Sequence, residues 1–176
     1  MRKRDRHWRQ PFTFAAGVIT GSSYDHPERA QRLGTEPRTD VALVLYDHDD
    51  PGFGAWPGSG ARVCHRLYWP MLAMPPEPDL LLRYVTELVD AAAAGRHAEV
   101  FCFGGHGRTG TALACAATLT GEAPEAAVAR VRAEYCPRAV STPELEAVVS
   151  LIGRRARATG RFPQLNGPAE ALPADH

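Results

Sequence analysis

Apolar residues along this chain fall into two alternating textures: short continuous runs, and longer stretches with helical spacing. Val41-Ala42-Leu43-Val44-Leu45-Tyr46 is unbroken and bounded by polar residues, the pattern of a strand buried on both faces. Phe12 to Ile19 reads as a strand or hairpin arm, Arg62 to Trp69 as a strand, and Glu99 to Phe103 as another. Between them, a short helix is expected around Pro27 to Leu33 and a longer one over Pro78 to Ala94. In the longer one, Leu81, Val85, Leu88, Val89 and Ala92 share a face and Gly95 terminates the run. Three more helices follow. Thr109 to Leu119 is alanine-rich, Pro124 to Tyr135 turns Val128, Val131 and Tyr135 inward, and Pro143 to Ala158 starts after the capping pair Ser141-Thr142. In the last, Leu145, Val148, Val149 and Ile152 form the buried stripe. Strands alternating with helices imply an α/β fold: a single domain whose central, mostly parallel sheet of four to five strands is flanked by helices. The boundaries read as a basic tail over residues 1–10, the domain over 11–159, and a flexible proline- and glycine-rich tail over 160–176. Asp47 to Gly60, rich in glycine, proline and acid, reads as a long exposed loop.

Charge changes this picture little. The 176 residues carry 20 basic and 20 acidic side chains, which favours neither a nucleic-acid nor a membrane partner. The exception is Met1 to Arg9, which is locally basic. The apolar stretch after it is interrupted by Thr13 and Gly17 and ends in polar residues, so a solvated tail is expected rather than a signal peptide. The cysteines, Cys64, Cys102, Cys115 and Cys136, show no close pairing and no metal-ligand spacing, and no metal or other cofactor is expected. Cys64, Cys115 and Cys136 read as small buried or half-buried residues. No apolar run approaches membrane-spanning length.

The chemistry concentrates in Val100-Phe101-Cys102-Phe103-Gly104-Gly105-His106-Gly107-Arg108-Thr109-Gly110. A strand delivers a cysteine, five residues later comes an arginine, and a helix opens at once. Phe103, Gly104, Gly105, His106 and Gly107 can curl with their backbone N–H groups inward around a phosphate dianion. The helix mouth adds free N–H groups and the positive end of its dipole, and Arg108 can grip two phosphate oxygens with its planar fork. That field favours a nucleophilic thiolate on Cys102, and a reactive thiolate needs the reducing cytoplasm. A glycine-rich turn with an inert buried cysteine would explain the glycines but not Arg108. A nucleotide-binding P-loop is excluded, because its lysine and its glycine spacing are absent.

The segment from Cys102 to Gly110 resembles the signature loop of the cysteine-dependent protein tyrosine phosphatases, dual-specificity branch: His-Cys-x-x-Gly-x-Gly-Arg-Thr/Ser-Gly. The resemblance covers roughly Phe12 to Arg157, dense from Tyr68 to Thr118 and thin before Val41. It implies hydrolysis of phosphate monoesters, phosphotyrosine above all, through a thiophosphate intermediate on Cys102. Arg108 and the loop amides would hold the phosphate, and the Thr109 hydroxyl would bond the sulfur. The implied partner is a phosphorylated protein or a small phosphate monoester.

Three positions depart from that pattern. Met71, in Tyr68-Trp69-Pro70-Met71, stands where the resemblance places an aspartic general acid; a thioether cannot donate a proton. Phe101 replaces the histidine before the nucleophile. Leu145 ends a segment that in some members carries a water-placing glutamine, and as a core residue it has an ordinary explanation. Substitute acids are His106, more simply a wall residue; Asp79, in the first turn of a helix where an acid is expected anyway; and Asp49, in the cluster Tyr46-Asp47-His48-Asp49-Asp50, more simply a solvated loop. His65 reads as structural. The chain therefore reads as an atypical phosphatase. The alternative is a weak or inactive phosphate-binding module for a phosphorylated partner, and a third reading keeps the cradle for another reaction on a phosphorylated compound.

Overall fold

The computed structural model describes residues 6–51 and 60–160. Its sheet has five strands: β1 (Gln10–Phe14), β2 (Gly17–Ser23), β3 (Val41–Tyr46), β4 (Val63–Tyr68) and β5 (Ala98–Cys102), in the spatial order β1-β2-β5-β3-β4. Only the β1–β2 pair is antiparallel; β2–β5, β5–β3 and β3–β4 run parallel. The helices are α1 (Arg29–Leu33), α2 (Pro78–Ala93), α3 (Gly107–Leu119), α4 (Pro124–Glu134) and α5 (Pro143–Ala158). The single α/β domain with a mostly parallel sheet is the architecture the patterning implies.

Side-chain alternation divides the sheet into two faces. Val41, Leu43 and Leu45 of β3, with Val100 and Cys102 of β5, join the large core under the helices. Ala42, Val44 and Phe101 point the other way and form a small second cluster with Tyr24. Residues 108–118 of α3 are all buried, because this helix is wrapped by the sheet, α4 and α5. Its small alanine and threonine side chains permit that close approach. The expected inward stripes of α2 and α5 are in place, and the Thr142 hydroxyl caps α5 by accepting from the Leu145 N–H.

The structure corrects several expectations. Phe12 to Ile19 is not one arm but the tip of a hairpin that turns between Phe14 and Gly17. Gly17 is required there: its φ is +145°, and a Cβ would sit 2.7 Å from the Ala92 carbonyl oxygen. Cys64 is exposed rather than buried, since it lies in the outward-facing first half of the edge strand β4. The basic tail is docked from Arg6 onward. The Ser23 N–H donates to the His7 carbonyl (2.8 Å), the Arg9 N–H to Ser22 Oγ (2.8 Å), and Trp8 Nε1 to Glu36. Most of the expected flexible tail, residues 161–176, lies outside the described residues, as do residues 1–5 and 52–59.

Candidate functional site

Three parallel strands end at one edge of the sheet, and each hands its next few residues to the same place. β5 ends at Cys102, β3 runs into Asp47–Asp50, and β4 into Trp69–Met71. The carboxyl edge of such a sheet is where ligands of open α/β folds bind.

Between Cys102 and α3 the chain turns so that its carbonyls face the scaffold. The Tyr24 N–H donates to the Cys102 carbonyl (3.0 Å), Ser23 Oγ to the Phe103 carbonyl, and the Tyr135 hydroxyl to the Gly105 carbonyl (2.6 Å). The amides of Phe103, Gly104, Gly105, Gly107, Arg108 and Thr109 donate to no acceptor among the described residues. They remain available to an anion. Gly105 makes the curl possible: its φ is +74°, and a Cβ would press to 3.0 Å against the Ser22–Ser23 peptide. Gly110 anchors α3, where a Cβ would meet that of Ala139 at 2.4 Å.

Cys102 and Arg108 both line one cavity of about 740 Å³, with Met71 and Leu72 on one rim and Arg6, Arg132 and Arg138 on another. Arg108 is 5% exposed. Its Nη1 donates to the Trp69 carbonyl (2.9 Å) and its Nη2 to both oxygens of Asp50 (2.8 Å each). Burial alone would lower the guanidinium pKa, but the neighbouring Cys102 sulfur and Asp50 outweigh it and raise it. Asp50 also accepts from the Asp47 N–H (2.8 Å) and the Tyr24 hydroxyl. Burial first, and then the bond to Asp50, push the Tyr24 pKa well above its usual value. With donors on both oxygens, Asp50 is held as an acceptor and positions Arg108.

Asp47 ties the segment after β3 to the Met71 rim by accepting from the Met71 N–H (2.9 Å). Burial works against its charge, yet the N–H groups of Met71, Asp49 and His48 and the charge of Arg108 lower its pKa. The Met71 side chain is 63% exposed at the cavity mouth, and Leu72 beside it takes a left-handed φ of +61°. That conformation is uncommon for a residue with a side chain and is one form of strain that recurs at functional loops.

Of the residues singled out from sequence, Met71, Cys102, Phe103, Gly104, His106, Gly107, Arg108 and Leu145 line the cavity; Gly105 holds the loop from behind. Thr109 does not behave as expected. Its Oγ1 is buried and has no hydrogen-bond partner among the described residues. Asp79 is away from the cavity, paired with Arg155 on the surface. Asp49 is exposed and does not line the cavity; its N–H caps Asp47 Oδ1 (3.3 Å). The acidic cluster as a whole is not a solvated loop, since Asp47 and Asp50 are buried against Met71 and Arg108. His106 lines the cavity with its Nδ1 3.3 Å from Cys136 Sγ. Phe101 and Leu145 are fully buried, and His65 stacks on Tyr84 at 4.2 Å beside Glu87, a structural role.

Sequence reasoning did not find Tyr24 or the bond from Tyr135 to the loop, and it weighed Asp50 only as a member of the acidic cluster, with a solvated loop preferred. A signal existed for Asp50: an arginine withdrawn into a site is most often paired, and an acidic run follows the central strand that flanks the cysteine's own.

No known family model matches the chain. Over 55 residues it is 51% identical to the uncharacterized protein MJECL20 of Methanocaldococcus jannaschii, a match spanning 31% of this chain and 36% of that relative's length. Its fold is similar to Tk-PTP in the active form, with a TM-score of 0.62 at 21% identity, covering 85% of this chain and 99% of that one. It is similar also to PTPMT1 in complex with PI(5)P, with a TM-score of 0.65 at 15% identity over 86% and 99% of the two chains. Human DUSP28 superposes with a TM-score of 0.61 at 14% identity over 86% and 97%. The fold, a single α/β domain with a mostly parallel five-stranded sheet flanked by helices, is thus the dual-specificity-like protein tyrosine phosphatase fold.

Proposed function

We propose that the protein is a cysteine-dependent phosphatase of phosphate monoesters, acting best on aryl phosphates such as phosphotyrosine. The observation that carries this reading is the shared cavity of Cys102 and Arg108, bridged by loop amides that bond nothing else among the described residues. The Cys102 thiolate attacks phosphorus, the phosphorus–oxygen bond to the leaving group breaks, and a thiophosphate forms. The amides and Arg108 stabilise the equatorial oxygens as their charge grows. Water then attacks phosphorus, the phosphorus–sulfur bond breaks, and the thiolate returns with release of inorganic phosphate.

The leaving-group preference follows from Met71. A positioned general acid contributes about 10²- to 10⁴-fold, and neither Met71 nor the acceptor-bound Asp50 supplies one. A phenolate, whose conjugate acid has a pKa near about 10, departs without a proton far more readily than the alkoxide of serine. The test is pre-steady-state kinetics with an activated aryl phosphate, comparing native protein with Cys102→Ser and Met71→Asp. A phenol burst that vanishes in Cys102→Ser is expected, with a faster steady state in Met71→Asp. Faster cleavage of phosphoserine than of phosphotyrosine peptides would contradict the reading.

One observation favours a second reading, a phosphate-binding module without turnover. Nη2 of Arg108 is already engaged by Asp50, while the acid position is a thioether. Vanadate or phosphate binding with neither burst nor turnover would establish it. A thiolate nucleophile of this kind suits the reducing cytoplasm.

A further inference from the structure

At the edge of the phosphate cradle, three remote segments converge on one point. His7 comes from the docked N-terminal segment, His106 from the signature loop, and Cys136 from the turn after α4. One ligand atom of each lies within 4.8 Å of the other two. The His7 and His106 rings meet edge to face at 4.6 Å, and His106 Nδ1 is 3.3 Å from Cys136 Sγ. Two imidazoles and a thiolate form a borderline-soft donor set of the kind that binds Zn²⁺.

We propose that His7, His106 and Cys136 form a Zn²⁺ site beside the phosphate cradle, with a water or substrate oxygen as fourth ligand. Tetrahedral zinc, with bonds of about 2.0–2.1 Å to nitrogen and 2.3 Å to sulfur, sets its donor atoms about 3.3–3.6 Å apart. The His106–Cys136 pair already meets that spacing, and the His7 ring need close by only about 1 Å. The outer shell is suitable too: the Arg138 N–H donates to Cys136 Sγ (3.4 Å), as amides do to a ligating thiolate. His106 lines the cavity, which supplies a path for the ion. Because His106 lies between Cys102 and Arg108 in the chain, the ion would pin the cradle to the N-terminal segment and to the α4–α5 turn. The site is distinct from the nucleophile, and its existence does not depend on the phosphatase reading.

The experiment uses tag-free protein spanning residues 1–176, stripped with chelator and titrated with Co²⁺ and then Zn²⁺. The readouts are the cobalt–thiolate charge-transfer band and calorimetric stoichiometry. Native protein and Cys102→Ser are expected to bind one equivalent with the band present. Cys136→Ser should lose the band, and both it and His7→Gln should bind Zn²⁺ at least about tenfold more weakly, since losing even an outer-shell partner costs that much. Should Cys136→Ser fail to fold, the half-buried His7→Gln decides. Absence of binding in the native protein overturns the proposal, as does unchanged affinity in His7→Gln. A band that disappears in Cys102→Ser and persists in Cys136→Ser assigns the metal to the nucleophile and overturns it equally.

Discussion

Two arginines are almost wholly withdrawn from water, Arg29 at 2% exposure and Arg108 at 5%, and the chain surrounds them in opposite ways. Arg29 lies over aromatic faces, its guanidinium carbon 4.4 Å from the centre of the Phe101 ring and 5.3 Å from that of Trp8. One Nη donates to the Ser23 carbonyl (3.3 Å). Burial dominates there and lowers its pKa, despite the opposing charge of Glu99. Arg108 instead has a carboxylate and a carbonyl on its two Nη groups, and its pKa rises. Aromatic faces accommodate a cation without aiming it. Directed acceptors aim it, so the cation that would meet substrate is the one that is aimed.

That contrast can be broken most forcefully at Asp50. Asp50→Ala leaves Arg108 a buried charge without its carboxylate, and a loss of about 3–5 kcal/mol of unfolding free energy is expected by denaturant titration. Next comes Arg108→Lys, whose compact ammonium cannot hold Asp50 and grip phosphate together. It should lower kcat on an aryl phosphate by at least about 10²-fold in steady-state assays. Arg29→Met is the matched control on the other face: a loss of at most about 2 kcal/mol in the same titration, with kcat unchanged. Equal kinetic effects of these two variants would erase the distinction drawn between them.

The smallest effect is one of pH. Tyr24 is held protonated by burial and by its bond to Asp50, so its folded pKa exceeds its unfolded value. Below pH about 10 the phenol is neutral in both states and contributes no pH dependence. Above it the unfolded chain releases a proton that the folded chain keeps, and stability falls with rising pH. The slope is about 1.4 kcal/mol per pH unit for each such tyrosine. Tyr135, raised mainly by burial, adds to the same trend. Chemical denaturation above that pH should therefore show a shallower decline in Tyr24→Phe than in the native protein.

What the sequence disclosed, it disclosed through local pattern. The β3 run, the α5 start at Pro143 and the Cys102–Gly110 loop each carry their signal within a few neighbours, and each stands where expected. What stayed hidden joins residues far apart along the chain. Asp50 reaches Arg108 across 58 positions, and Tyr135 reaches Gly105 across 30. His7 and Cys136 are unremarkable in their own surroundings, and only the tertiary fold sets them beside His106. Thr109 is the reverse case: a motif position implied a contact, and its hydroxyl is buried with no partner among the described residues.

The placement of β5 has one more consequence. This strand is bonded to β2 on one side and β3 on the other, and all five of its residues are buried. The cavity mouth, by contrast, is built from Met71 and Leu72 on an exposed connection. Amide exchange at the floor should track complete unfolding, whereas the mouth opens by local fluctuation. An evolutionary lineage can therefore rewrite the mouth, and with it the choice of ligand, without disturbing the sulfur's register.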